Sequence, residues 1–167
     1  LMKGLDKEVT VLHENNVQLR FIGERSRFTA LMQEKIQAAE SLTAQNTGLK
    51  LLIAADYGGQ WDITQAAIAL AEQVEAGALK SSEITALTLA KHLSFADLPD
   101  PDLFIRPSGE LRISNFMLWQ LAYAELYFTP TYWPDFNETE FDLALQHYAK
   151  RERRFGYSSE QLSEVAC

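Results

Sequence analysis

Residues 106 to 116 read Arg106-Pro107-Ser108-Gly109-Glu110-Leu111-Arg112-Ile113-Ser114-Asn115-Phe116, which puts two guanidinium groups, two hydroxyls and a turn-forming glycine in one short segment. Arginine offers a planar fork of donors that matches phosphate oxygens in pairs, and serine hydroxyls with loop amides take the remaining lone pairs. The segment therefore suits recognition of a phosphate. It also reads as a loop whose arginines make surface ion pairs of little energetic weight. Glu125 lies in Ala124-Glu125-Leu126-Tyr127-Phe128, a carboxylate inside an apolar and aromatic stretch. It suits one ligand of a divalent cation, since magnesium prefers carboxylate, water and phosphate oxygens, or an outward-facing, salt-bridged residue on a strand. Lys150-Arg151-Glu152-Arg153-Arg154-Phe155-Gly156 follows the last helical stretch, where positive charge complements a helix dipole.

Other chemistries lack support. His13, His92 and His147 show neither metal-ligand spacing nor a paired nucleophile, and there is no glycine-rich nucleotide fingerprint. Tyr57-Gly58-Gly59 can be read as only a turn, and Trp61, Trp119 and Trp133 as only core.

The elements that must position these residues follow from periodicity. Val17–Gly23 alternates apolar and polar residues up to a glycine and predicts a strand; Phe28, Leu31, Met32, Ile36, Ala39 and Leu42 predict a helix from about 27 to 44. Leu49–Ala55 is apolar on both faces, as in a covered sheet interior, and predicts a central strand. Asp56–Gly59 breaks it, and Ile63, Ala66, Ala67, Leu70 and Val74 form the next helical stripe up to Gly77. A short helix near 82–93, a buried strand at Leu103–Ile105 ending at Arg106, a strand at Glu125–Phe128 and a final helix follow. Asn137 with Glu140 resembles a capping box for that last helix. Strands alternating with helices imply an α/β fold with a mostly parallel sheet flanked by helices, in one domain over 1–167. Ligands gather beyond the carboxyl ends of such strands, which are the places of Gly23, the Asp56 turn and the Arg106 turn.

A net charge of −8 argues against nucleic acid as a partner, while a small anion still responds to a few converging arginines. The single cysteine, Cys167, forms no intrachain disulfide, no apolar run spans a bilayer, and a cytoplasmic location is expected. Because the chain opens at Leu1 rather than methionine, it is read as part of a longer protein.

Phe104 to Gln120, then Ala122 to Phe128, Trp133-Pro134-Asp135-Phe136 and Arg151 to Gly156, together with Asn46-Thr47-Gly48-Leu49 and Ala55 to Gly59 upstream, resemble in order the motifs of bacterial cis-prenyltransferases, the undecaprenyl diphosphate synthases. The resemblance implies that Arg106, Arg112 and Ser114 hold the diphosphate of isopentenyl diphosphate and that Glu125 belongs to a Mg2+ site. It implies that Arg154 and Gly156 reach the neighbouring subunit's diphosphate site in a homodimer. The other substrate would be an allylic diphosphate such as farnesyl diphosphate, and the product undecaprenyl diphosphate for cell wall biogenesis. Product release would bring transient contact with a membrane surface. The family's amino-terminal strand and phosphate loop, with its essential aspartate, have no counterpart here, so no catalytic residue is assigned and this stretch alone is expected to be inactive. Asp56 and Gln60 stand where the family has asparagine and arginine, and Leu111 where some relatives have histidine. The alternative is a non-catalytic partner subunit of the same family, favoured if those departures abolish ligand binding.

Overall fold

The computed structural model describes residues 2–151, which fall into two units divided between Asp97 and Leu98. In the first, α1 (Met2–Glu14) leads to β1 (Gln18–Ile22), α2 (Ala30–Thr43), β2 (Lys50–Ala54), α3 (Gly59–Glu75) and the short α4 (Ala86–Ala90). In the second, β3 (Leu103–Arg106), β4 (Glu125–Phe128) and α5 (Glu138–Ala149) are joined by loops with short 3-10 turns. Among the described residues each unit contains one parallel strand pair: β1 with β2, from Gln18 opposite Lys50 to Ile22 opposite Ala54, and β3 with β4, from Leu103 opposite Glu125 to Arg106 opposite Phe128. Parallel strands require a crossover, and α2 supplies it in the first unit. The expected α/β class with parallel, helix-flanked strands is what the chain adopts.

The core of the first unit is Val9, Leu19, Phe21, Ile36 and Ala39, against which Leu12, Phe28, Met32, Leu51 and Ile53 pack. Leu19 and Phe21 are alternate residues of β1 and so share its inner face, where Ile36 and Ala39 meet them from α2. Gly23, at φ +119°, ends β1 where a Cβ would come within 2.1 Å of the Ala55 carbonyl oxygen, so only glycine fits.

Three sequence expectations shift. Residues 2–14, given no element from sequence, form α1, whose buried Val9 joins the core. β2 was expected to be central, yet among the described residues it pairs only with β1, and Leu51, Leu52 and Ile53 are only half-buried. The short helix expected near 82–93 is confined to Ala86–Ala90, with a 3-10 turn at Ser81–Glu83 before it.

Among the described residues the outer edge of β1 is closed by side chains instead of a strand. Residues 18, 20 and 22 face β2; of the alternate ones, Leu19 N–H donates to Thr43 Oγ1 at 3.1 Å and Phe21 N–H to Glu40 Oε1 at 2.7 Å. Arg25 is held by both Glu40 oxygens, at 2.6 and 2.8 Å, and donates to the Phe21 carbonyl, while Asn46 Nδ2 donates to the Val17 carbonyl at 2.7 Å. Edge strands left unpaired invite association with other chains, and these bonds use up the groups that would do so.

Candidate functional site

β3 delivers Arg106 at its carboxyl end, and the chain then turns through Ser108 and Gly109, both with positive φ (82° and 72°). Ser108 N–H donates to the Thr131 carbonyl at 2.8 Å, Gly109 N–H to that of Thr129 at 2.9 Å, and Thr129 N–H to that of Arg106 at 3.1 Å. The turn is thereby stitched to the segment that follows β4. Farther on, Ser114, Asn115 and Met117 also take left-handed backbone conformations (49°, 61° and 46°). Non-glycine residues rarely adopt these, each costs of order 1 kcal/mol or more, and they gather at ligand-binding segments. Phe116 packs its ring near Phe104 of β3, centroids 6.3 Å apart.

This path brings Arg106, Arg112 and Ser114 together. Arg106 Nη1 donates to Ser114 Oγ at 2.8 Å and to the Arg112 carbonyl at 2.5 Å, and Arg112 Nε donates to the same hydroxyl at 3.2 Å. Glu110 pairs with the Arg112 guanidinium. Both partners are well exposed, so that pair is worth at most about 1 kcal/mol and gives way readily to a more highly charged anion. The arrangement offers two guanidinium forks and one hydroxyl around one point, the donor set that a diphosphate needs.

Glu125 does not join this cluster. It opens β4 opposite Leu103, three residue steps or roughly 10 Å before the level of Arg106. Its Oε2 lies 3.5 Å from Arg151 Nε. The salt-bridged-strand reading is therefore realised. As for Mg2+, no group of three His, Cys, Asp or Glu occurs among the described residues, so they form no protein cage. A single half-buried carboxylate does fit the role of one ligand in a shell completed by phosphate oxygens and water, the usual habit of magnesium. Arg154 and Gly156 lie outside the described residues.

Sequence reasoning missed what supports the site. Thr129, only 4% exposed, places its hydroxyl 3.2 Å from Glu140 Oε2 and 3.2 Å from Thr131 Oγ1, and accepts from Thr131 N–H at 3.3 Å. The expected capping box is half formed: Asn137 Oδ1 accepts from Glu140 N–H at 3.2 Å, but the Glu140 side chain turns to Thr129. No local signal in the sequence joins Thr129 to Glu140.

In the other unit, the turns after β1 and β2 meet: Glu24 N–H donates to the Asp56 carbonyl at 3.1 Å, and Arg27 Nη1 lies 3.1 and 3.3 Å from the two Asp56 oxygens. Asp56 has φ 51°. Asp62 in the first turn of α3, 2% exposed, accepts from Tyr57 Oη at 2.9 Å and from Ser94 N–H and Oγ at 2.9 and 2.7 Å. Burial first, and then the Asp62 carboxylate, raise the Tyr57 phenol well above its ordinary range. The Tyr57 ring is also set edge-on to Trp61 and Phe95. No helix among the described residues is long and apolar enough to cross a membrane.

Residues 1–156 match the prenyltransferase family described as "Putative undecaprenyl diphosphate synthase". An isoprenyl transferase of Neisseria gonorrhoeae is 59% identical over 162 residues, 96% of this chain and 62% of that protein. A ditrans,polycis-undecaprenyl-diphosphate synthase, (2E,6E)-farnesyl-diphosphate specific, of Vibrio cholerae is 56% identical over 164 residues, 98% of this chain and 66% of that one. The chain thus spans a little under two thirds of these relatives. Among solved structures, lavandulyl diphosphate synthase from Lavandula x intermedia in complex with dimethylallyl diphosphate shares 40% identity at TM-score 0.85, covering 91% of this chain and 66% of that one. The "probable undecaprenyl diphosphate synthase" of Campylobacter jejuni shares 35% at TM-score 0.78, covering 92% and 70%.

Proposed function

The chain belongs to the undecaprenyl diphosphate synthase family of cis-prenyltransferases, and on that premise we propose that the whole protein condenses isopentenyl diphosphate with an allylic diphosphate, farnesyl diphosphate, into undecaprenyl diphosphate. The observation that carries the reading is the convergence of Arg106 and Arg112 on Ser114 at the end of β3. In this role the two guanidinium groups and the hydroxyl grip the diphosphate of isopentenyl diphosphate and fix its carbon skeleton for attack, a contribution through orientation. The internal bonds among the three residues are exchanged for bonds to the ligand. Glu125 holds Mg2+, which when bound neutralises diphosphate charge. For Glu125 to serve, its bond to Arg151 must open, which costs little at a half-exposed pair.

Arg154 and Gly156 are assigned to a partner subunit's diphosphate site, which makes the working unit a homodimer. The segment from Phe116 to Phe128, with Tyr123 76% exposed, supplies much of the dimer contact. Residues 1–167 are taken as parts of one functional domain, in the cytoplasm, with transient membrane contact when the long apolar product leaves.

The test is incorporation of labelled isopentenyl diphosphate by the full-length protein with farnesyl diphosphate and Mg2+. Long-chain product, lost on chelation and greatly reduced by Arg112→Ala, is expected. Full activity without Arg112 sinks the site assignment.

A further inference from the structure

We infer that Thr129 and Glu140 are positioning residues for the anion site, because a buried threonine braced by a helix-start carboxylate holds both ends of the turn that carries Arg106. The inference rests on the reading of that site as a diphosphate site. Thr129 uses every polar group it has on this junction. Its N–H takes the Arg106 carbonyl and its carbonyl takes Gly109 N–H, so the backbone on either side of Pro107-Ser108 is tied to one residue. Its hydroxyl accepts from Thr131 N–H, and the Thr131 carbonyl in turn takes Ser108 N–H.

A hydroxyl has one hydrogen, and its direction decides which neighbour its lone pairs can serve. Glu140 Oε2, 3.2 Å away, is the strongest acceptor within reach and draws that hydrogen, which leaves the lone pairs for Thr131 N–H. Glu140 is itself set in place by Asn137, whose side chain receives the Glu140 N–H at the start of α5. Helix α5 is thus linked through Glu140 and Thr129 to the backbone of Arg106. Neither residue is among the three that converge on the anion point, so each acts through another. Without the hydroxyl, residues 129 to 131 lose the bond that shapes them, and Ser108 and Gly109 lose fixed acceptors. The angle at which Arg106 leaves β3 then loosens.

The test uses the full-length protein, calorimetric titration with inorganic diphosphate in Mg2+, and steady-state kinetics with isopentenyl diphosphate varied. Thr129→Val keeps shape and removes the hydroxyl. Diphosphate affinity is expected to fall roughly tenfold and KM for isopentenyl diphosphate to rise by a similar factor, with kcat changed less than about twofold. Thr129→Ser should restore both to within roughly threefold of the parent. Glu140→Ala should raise KM as Thr129→Val does, and the double variant should be no worse than either, since the two act as one device. Glu140→Ala reads the same device from a half-buried helix position if Thr129→Val does not fold. Unchanged affinity and KM in Thr129→Val or, where that variant does not fold, in Glu140→Ala overturns the positioning role, as does failure of serine to rescue. If the parent protein binds no diphosphate at all, the reading of the site falls first and the inference falls with it.

Discussion

Arg106 Nη1 stands 2.8 Å from Ser114 Oγ, so a residue that ends a strand and one eight positions later share a hydrogen bond across a left-handed loop. The bond holds the two arginines in one place before any ligand arrives, and preorganisation of this kind lowers the cost of binding. Ser114→Ala is expected to weaken inorganic diphosphate binding by roughly tenfold, and Arg112→Ala by 100-fold or more, on the usual worth of neutral and charge-assisted hydrogen bonds. Arg106→Lys should behave nearly as badly as alanine, because a point charge cannot bridge two acceptors as a fork does. Calorimetric titration of each variant checks the order.

Gly23→Ala should destabilise the first unit by about 3 kcal/mol or more. The added methyl would press on the Ala55 carbonyl oxygen, and φ +119° is strained for any L side chain. Chemical denaturation gives the value, and a loss under about 1 kcal/mol would contradict the close approach.

Two ion pairs in the same unit should respond very differently to loss of the acid. Asp56→Asn is expected to change stability by less than about 1 kcal/mol, because Arg27 is 71% exposed and the pair is well solvated. Glu40→Ala should cost about 1–3 kcal/mol, since it leaves the Phe21 N–H without its acceptor beside the core, while Arg25 keeps the Phe21 carbonyl. Thermal and denaturant midpoints of the two variants decide it.

The Tyr57 phenol should remain protonated in the folded protein at pH values where an ordinary tyrosine, near 10, is half ionised. The sign follows from the raised value: the stability this group contributes is fully present below about pH 10 and is lost as pH climbs from there through the folded value. Phenolate absorbance in a pH titration should show this tyrosine ionising late or only on unfolding. Asp62→Asn should bring its titration back toward the ordinary range, and an unchanged titration would show that the carboxylate is not a cause.

The strand-turn-helix order was legible because apolar periodicity reports which faces are buried, and the strand at Glu125–Phe128 appears with the bounds read from sequence. The convergence of Arg106, Arg112 and Ser114 was legible because all three lie within nine residues of one strand end. Contacts distant in sequence were hidden. Nothing local joins Thr129 to Glu140, or Arg27 to Asp56, which lie on different turns and meet only once the parallel strands are in register. The capping signal at Asn137 and Glu140 was read as one motif, yet tertiary contact redirected the glutamate, a competition that a local pattern does not reveal. Glu125 opens the strand read from sequence, but its level relative to Arg106 depends on the register of β4 against β3, which the sequence does not state.

The side-chain closure of β1 also has a kinetic signature. The amides of Leu19 and Phe21 are protected by Thr43 and Glu40 of α2, whereas the alternate residues of the same strand face β2. Neighbouring amides on one five-residue strand therefore report on separate events in hydrogen exchange: Leu19 and Phe21 on the lifting of the last turns of α2, Arg20 and Ile22 on the parting of the strands. A single stretch of backbone thus distinguishes partial undocking of a helix from opening of the sheet, with no label introduced.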